Sequence, residues 1–321
     1  MTRFKNFEPK GVIPATLLPF NDDLSIDEAS TRKHLRDVVA VKGLSAIAVN
    51  GHASEVHACN LDEQRRVLEL TVDEIGEQLP VINGVAADGS AQAAAIAKMS
   101  EQAGASCLLV FPSHTIGAGG GMARPEMAMA HIQTIAEATD LPLILFQYSY
   151  TSNYAYPLDL LVRMADEIPS FRAIKDRCGE PIKHERHIRI LQNLSRPINV
   201  LTTHSAWLMA SLSMGCKGVL SGSGSVIAEL QVALFEAVQN NDMEAARRLS
   251  DRIYPTAQCF YAAPTVDMHN RMKEALVILG RIPNATVRPP LVKLTEAEIE
   301  GIRIMLNKAK IGKDGALQEA A

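Results

Sequence analysis

Short apolar segments alternate with longer amphipathic segments over the first two thirds of this chain, and this alternation limits the folds it can adopt. The short segments lie at residues 12–18, 46–49, 81–83, 107–111, 143–148, 171–175, 198–201 and 218–220. Helical patterns between them span residues 27–41, 62–77, 90–103, 126–138, 158–166 and 181–193. Strands that alternate with helices in this way form parallel sheets. Eight strands at this spacing predict a (β/α)8 TIM barrel, an α/β fold.

A doubly wound open sheet is the alternative arrangement of the same units. A glycine-rich phosphate turn after the first strand would favour that fold. Residues 14–20 read Pro-Ala-Thr-Leu-Leu-Pro-Phe and contain no such turn. The closed barrel is therefore the predicted fold.

Beyond residue 228 the pattern is helical only. Apolar residues recur with a period of 3.6 at residues 227–239, 242–254, 266–279 and 295–308. We therefore predict a barrel over residues 1–239 and a small C-terminal helical appendage over residues 240–308. The last residues, 309–321, are predicted to form a disordered tail.

Charge and cysteine usage exclude several function classes. The formal net charge is −4 and no basic stripe occurs, so nucleic acid is not an expected partner. No apolar run of about 18 residues is present, which predicts neither a signal peptide nor a membrane span. The five cysteines are scattered without a C-x-x-C pair. This spacing indicates a cytoplasmic protein without a disulfide framework or structural zinc.

Lys175 is the main candidate for chemistry. It closes the apolar run Phe-Arg-Ala-Ile-Lys, so it is expected at the end of a buried strand. Burial disfavours the charged form of a lysine, and a neutral amine is a nucleophile toward carbonyl groups. Catalytic groups of a TIM barrel lie at the carboxyl ends of its strands. The position therefore suits Schiff-base chemistry.

Several short motifs give the chain a resemblance to a known family. They include Gly11-Val12-Ile13-Pro14-Ala15-Thr16, Gly51-x-x-x-Glu55, Asn83-Gly84-Val85, Ile174-Lys175-Asp176 and Met214-Gly215-Cys216-Lys217-Gly218-Val219. In their order and spacing, over roughly residues 10–280, the chain resembles the dihydrodipicolinate synthase / N-acetylneuraminate lyase family of class I aldolases. The resemblance implies a lyase that needs no metal or organic cofactor and assembles as a homotetramer, a dimer of dimers.

The same resemblance assigns roles to the residues near Lys175. It implies that Lys175 condenses with pyruvate or another small 2-oxo acid, and that the iminium then permits aldol cleavage, aldol condensation or dehydration. It also places Gly51 to Ser54 around the 2-oxo acid carboxylate. We expect the substrate to contact Gly51, Ala53, Ser54, Phe146, Gly179 and Ser221.

Four positions depart from the pattern that the family shows. The family's Gly-Thr-Thr-Gly-Glu is Gly51-His52-Ala53-Ser54-Glu55 here, and its catalytic tyrosine aligns with Phe146. The tyrosine usual after strand four aligns near His114, and the arginine that dihydrodipicolinate synthases use for a second carboxylate aligns with Thr151. These departures predict that the chain is not a true dihydrodipicolinate synthase.

The lost tyrosine requires a substitute acid/base group. Tyr148 lies two residues after Phe146, and alternate residues of a strand face the same side. His52 is the second candidate, because an imidazole with a pKa of about 6.5 suits general base catalysis. Glu55 is expected to be a structural hydrogen-bond anchor rather than an acid catalyst.

Two further functions remain open at the level of sequence. The lost threonines and tyrosine are compatible with a non-catalytic 2-oxo acid-binding or sensor protein on the same scaffold. A metal-dependent barrel aldolase would use His52, Glu55 and His57 as ligands. That alternative leaves Lys175 without a role.

Overall fold

The structure, a computed structural model, describes Phe4 and residues 6–312. Eight strands occur in chain order: β1 Gly11–Pro14, β2 Ile47–Val49, β3 Val81–Val85, β4 Cys107–Val110, β5 Leu143–Gln147, β6 Phe171–Asp176, β7 Asn199–Thr202 and β8 Gly218–Ser221. They are short apolar segments, and almost every residue in them is buried.

Parallel pairing joins these strands into one sheet that curls into a barrel. The strand order is β1-β8-β7-β6-β5-β4-β3-β2, and every pair is parallel. Isolated parallel bridges from Val12 to Leu44 and from Ala15 to Ala48 bring β1 against the β2 segment. The predicted (β/α)8 barrel is thus confirmed, and the open doubly wound sheet is excluded.

Helices surround the sheet. The first nine are α1 Glu28–Val39, α2 Leu61–Ile75, α3 Ser90–Gln102, α4 His114–Ala118, α5 Pro125–Ala136, α6 Leu158–Glu167, α7 Pro181–Leu191, α8 Leu208–Ser213 and α9 Gly224–Gln239. Three more follow: α10 Met243–Phe260, α11 Met268–Ile278 and α12 Glu296–Lys308. Across the described residues, every helix is too short or too polar to traverse a lipid bilayer.

One strand boundary and two short helices differ from the sequence prediction. Strand β1 ends at Pro14 instead of residue 18, and the chain continues in contact with β2 through the hydrogen bond from Thr16 N to Ala48 O. Helices α4 and α8 were not predicted, because five or six residues are too few to display a helical period.

The C-terminal helices pack on the barrel through α9. Helix α10 lies against α9, and α12 packs against α10 and α11. The division between barrel and appendage at residues 239 and 240 stays a proposal. The disorder predicted for residues 309–321 falls largely outside the described residues, which end at 312.

A buried ion pair ties the appendage to the barrel. Lys273 of α11 donates from Nζ to Glu55 Oε1 at 2.5 Å, and both side chains are fully buried. Lys273 also donates to Thr286 O, and Glu55 Oε2 accepts from Arg288 N. Glu55 is therefore the structural anchor that the sequence predicted.

Replacing one member of this pair should destabilise the protein strongly. Lys273→Met leaves the Glu55 carboxylate buried without its cation, which typically costs about 3–5 kcal/mol. Urea titration should show this loss in the free energy of unfolding. Lys10→Met is the matched control, because Lys10 pairs with Glu8 at the surface and such pairs contribute about 1 kcal/mol or less. Equal effects of the two substitutions would contradict the anchoring role.

Candidate active site

A cavity of about 440 Å³ opens where the carboxyl ends of the strands meet. Lys175, Tyr148, His52, Ala53, Phe146 and Gly179 all line it, so six of the predicted site residues are brought together. A larger cavity of about 770 Å³ lies between α1 and α9, and Lys175 does not line it. Because the nucleophile defines the chemistry, the smaller cavity is the candidate active site.

Lys175 lies in the wall of this cavity with its amine largely removed from water. Its side chain is near the end of β6, only 7% of the residue is exposed, and it is in register with Phe146 of β5. Burial, with a contribution from the Arg177 cation, lowers the pKa of the Lys175 amine to about 7. A substantial fraction of the amine is therefore neutral near pH 7, as nucleophilic attack requires.

The phenyl ring of Phe146 faces this amine. Lys175 Nζ lies 4.3 Å from the ring centroid. A cation–π contact favours the ammonium form by about 0.5–2 kcal/mol, so it opposes the effect of burial. Burial and the Arg177 cation favour the neutral amine, and the ring contact acts in the opposite direction. Phe146 thus shapes the site, but its side chain has no proton to transfer.

Tyr148 and His52 form a hydrogen-bonded pair beside the ring of Phe146. Tyr148 OH and His52 Nε2 are 3.0 Å apart, and both rings contact Phe146. Burial and the Lys175 cation hold the pKa of His52 well below its usual range. Burial raises the pKa of Tyr148 above its usual value. At neutral pH the pair therefore consists of a neutral imidazole and a protonated phenol joined by one hydrogen bond.

The loop after β2 presents backbone rather than hydroxyl groups to the cavity. Ser54 Oγ donates to Thr16 O at 2.7 Å and does not line the cavity. Within the described residues, the N–H groups of His52 and Ala53 make no hydrogen bond, and both residues line the wall. These two amides are the available donors for a carboxylate.

Three of the predicted contacts lie behind the wall instead of in it. Gly51 and Ser54 belong to the loop under His52, and Ser221 Oγ is bonded to Ser223 Oγ and Tyr261 OH. Gly179 does line the cavity, and its φ of 81° is a conformation that glycine adopts without strain.

A second cluster of polar groups lies behind β6. Asp176 Oδ2 is 2.8 Å from His184 Nδ1 and 2.7 Å from His187 Nδ1, and all three side chains are buried. Burial alone raises the pKa of the Asp176 carboxyl, but the two histidine hydrogen bonds outweigh it and hold the pKa well below its usual range. The carboxylate is thus ionised and held in place by its neighbours.

Asp176 and His184 of this cluster also belong to a group of described side chains that could hold a metal. In the described part of the chain, ligand atoms of Asp176, Cys178, His184 and His204 lie within 4.8 Å of one another. Thiolate, imidazole and carboxylate together are a zinc-type donor set.

The alternative of a metal-dependent aldolase requires a different set of metal ligands, namely His52, Glu55 and His57. No such group forms within the described residues. Both carboxylate oxygens of Glu55 are already bonded, to Lys273 and Arg288. The structure therefore argues against this alternative.

Several lining residues were missed by the sequence analysis. Arg177 could have been found, because it lies two residues beyond Lys175 and alternation places it on the same side. Most of the others come from the segment after β7 and from the segment between α10 and α11 up to Met268, where no pattern points to the cavity. They include Thr203, His204, Ser205, Trp207, Tyr261, Thr265 and Met268.

Comparisons with known proteins agree with this geometry. The sequence profile described as the dihydrodipicolinate synthetase family matches residues 8–309. The 4-hydroxy-tetrahydrodipicolinate synthase of Methanopyrus kandleri is 27% identical over 311 residues, which cover 96% of this chain and 99% of that protein. The protein of the same name from Salinibacter ruber is 28% identical, over 89% of this chain and 91% of its own length.

Solved structures show the same fold. YagE, a prophage protein of the dihydrodipicolinic acid synthase family from E. coli K12, was solved in complex with pyruvate. It superposes with a TM-score of 0.87 at 20% identity, covering 94% of this chain and 98% of its own. A monomeric dihydrodipicolinate synthase variant gives a TM-score of 0.85 at 22% identity, covering 96% and 98%. With the profile match across nearly the whole chain, these likenesses settle the family: the chain belongs to the dihydrodipicolinate synthetase family, whose proteins are class I aldolase-type lyases.

Proposed function

We propose that this protein forms a Schiff base between Lys175 and pyruvate or another small 2-oxo acid, and then catalyses aldol cleavage, aldol condensation or dehydration. The observation that carries the proposal is the state of Lys175. Its amine is buried at the end of β6, its pKa is lowered to about 7, and it lines a cavity large enough for a small substrate. Within the described residues Lys175 has no ion-pair partner, in contrast to the buried Lys273, which pairs with Glu55. A structural ion pair therefore does not explain why Lys175 is buried.

The first step is addition of the neutral Lys175 amine to the keto carbon. The resulting carbinolamine loses its hydroxyl group as water, and the nitrogen becomes an iminium. Tyr148, which is protonated at neutral pH, donates the proton that the leaving hydroxyl needs. The phenolate that remains, hydrogen-bonded to His52 Nε2 at 3.0 Å, regains its proton from the carbon next to the iminium when the enamine forms.

The iminium then acts as an electron sink. Loss of a proton from the neighbouring carbon, or cleavage of a bond to it, gives an enamine that can attack a carbonyl carbon. The Tyr148–His52 pair lies beside Phe146, the residue in register with Lys175, and is therefore our candidate for this proton transfer as well.

The carboxylate of the 2-oxo acid is assigned to the loop after β2. The free N–H groups of His52 and Ala53 are its proposed donors, in place of the hydroxyl groups that the family uses. Ser54 then acts by fixing the loop to Thr16 rather than by touching the substrate.

Schiff-base formation does not define the complete reaction that follows it. Thr151 aligns with the arginine that dihydrodipicolinate synthases use for a second carboxylate. At the level of sequence, this difference predicts that the chain does not catalyse dihydrodipicolinate synthesis. The relatives give no support for that exclusion, because they are named as synthases. Thr151 itself is exposed and bonded to Ser149. We therefore propose the broader activity and leave 4-hydroxy-tetrahydrodipicolinate synthesis among the reactions to be assayed.

Assembly and location are also proposals. We infer a homotetramer from the family resemblance, and a cytoplasmic location from the five cysteines, which are all free. A non-catalytic binding protein is less well supported, since the nucleophile and a hydrogen-bonded proton relay share one cavity.

Borohydride trapping tests the nucleophile. Incubation with pyruvate and borohydride should add the mass of one reduced pyruvate to each chain, on Lys175, and Lys175→Met should abolish the adduct. Lys217→Met is the control, because it removes a lysine that does not line the cavity. Absence of an adduct across a panel of 2-oxo acids would refute the proposed function.

The pH dependence of imine formation tests the environment of Lys175. The rate follows the neutral fraction of the amine, so it should rise as the pH increases, with a midpoint near 7, and then level off. A lysine with an ordinary pKa would keep gaining rate up to about pH 10. Short incubations with pyruvate at pH 5.5–9, each followed by a jump to one common pH with borohydride and intact-mass measurement, give the profile. A rate still rising at pH 9 would contradict the burial argument.

Exchange of the pyruvate methyl protons with deuterium tests the relay without knowledge of the second substrate. Tyr148→Phe should slow this exchange, followed by NMR, by about 100- to 10,000-fold, the usual contribution of general acid–base catalysis. His52→Gln should slow it as well. Tyr154→Phe is the control, since Tyr154 bonds His114 and does not line the cavity. Normal exchange by Tyr148→Phe would remove Tyr148 from the mechanism.

A further inference from the structure

Of the arginines that the structure describes, Arg177 alone lies in the wall of the active-site cavity. It follows β6 directly, and its backbone N–H donates to Gln147 O at 2.9 Å, so the ladder with β5 continues one residue past the strand. Because alternate strand residues face the same side, Arg177 and Lys175 both reach the cavity.

The charge of Arg177 is not neutralised by the protein. Among the residues that the structure describes, its side chain has no hydrogen bond and no ion pair, although neighbouring cations do: Lys183 pairs with Glu180, and Arg189 with Glu185. Within the described residues 6–312, no Asp or Glu lines the cavity. The nearest acid in sequence, Asp176, is taken by His184 and His187 behind the sheet.

The field of Arg177 acts on the reacting groups. Its positive charge contributes to lowering the pKa of Lys175 and of His52, and it opposes the burial that raises the pKa of Tyr148. Three side chains on different strands and loops thus lie close enough to be affected by one cation. An uncompensated cation at this place attracts an anion, and the anion available to an active site is its substrate.

The surroundings of Arg177 define which anion fits. One guanidinium matches the single charge and the planar shape of a carboxylate, which it can bind through two parallel hydrogen bonds. Phosphate carries more charge than this one cation balances. The rest of the wall is aromatic or hydroxylic, with Trp207 stacked on a neutral His204 and with Ser149, Ser152 and Thr203 nearby.

We propose that Arg177 binds a second carboxylate, on the part of the substrate away from the iminium, and so selects 2-oxo acids that carry two carboxylates. The inference rests on the proposed Schiff-base function and extends it to a substrate class. Two residues of strand separate the backbones of Lys175 and Arg177, about 6–7 Å, a distance of the order spanned by a five- or six-carbon 2-oxo diacid. Arg177 would thereby provide the cation that Thr151 cannot.

Matched pairs of 2-oxo acids test this assignment. 2-Oxoglutarate and 2-oxopentanoate have the same chain length and differ only in the terminal carboxylate, as do 2-oxoadipate and 2-oxohexanoate. In borohydride trapping on Lys175, the diacid of at least one pair should half-saturate at a concentration about 10- to 100-fold lower, as expected for a charge-assisted hydrogen bond. Arg177→Gln should remove this preference, and Arg189→Gln, at an exposed arginine outside the cavity, should keep it.

The outcomes separate the possible failures. An unmodified protein that does not distinguish the acids of either pair, or an Arg177→Gln variant that keeps the preference, overturns the proposal. A variant that loses trapping of pyruvate and of diacids by the same factor at pH 9 also overturns it, because Arg177 would then hold the carboxylate next to the keto group. Failure of the unmodified protein to trap any 2-oxo acid refutes the Schiff-base function itself.

A pH profile gives a readout that a purely structural role would not move. Removal of the Arg177 cation should shift the midpoint of imine formation with pyruvate to higher pH, because one of the two influences that lower the pKa of Lys175 is lost. An unchanged midpoint in Arg177→Gln would contradict the placement of the guanidinium beside the amine.

Discussion

Parallel hydrogen bonding between β5 and β6 is the constraint on which the site depends. The register pairs Phe146 with Lys175 and Gln147 with Asp176, and it continues to Arg177 through Gln147 O. A shift by one residue would turn Lys175 out of the barrel and Asp176 into it. The neutral amine, the aromatic ring beside it and the guanidinium beyond it are all consequences of this one alignment.

At the end of β6, positively and negatively charged side chains lie on opposite sides of the sheet. Lys175 and Arg177 reach the cavity, while Asp176 between them lies among the histidines of α7. Had the carboxylate faced the amine, the two would form a buried ion pair like that of Lys273 and Glu55, and the carboxylate would favour the charged form of the amine. Separation of these charges across the sheet leaves Lys175 without such a partner, as its proposed role requires.

Much of this arrangement could be predicted from the sequence. The eight apolar segments predicted the barrel, because strand and helix periods differ clearly. Lys175 was predicted at a strand end because it closes the sixth of these segments. Alternation along β5 placed Tyr148 on the side of Phe146. The hydrogen bond from Tyr148 to His52 could not be predicted, because it joins residues 96 positions apart in the chain and depends on the course of the loop after β2. The commitment of Ser54 to Thr16 was hidden for the same reason, since a motif records which residue is present but not where its hydroxyl points.

Tyr261, Thr265 and Met268 line the cavity from a segment that runs from the end of α10 to the first residue of α11 and contributes no strand to the barrel. Lys175, the proposed nucleophile, is in contrast positioned by strand pairing in the sheet. This part of the pocket wall therefore lies on a different length of polypeptide from Lys175 and Arg177, so it can change while the end of β6 stays the same. A scaffold of this kind can serve many substrates with one chemistry, because a new pocket wall does not require a new barrel.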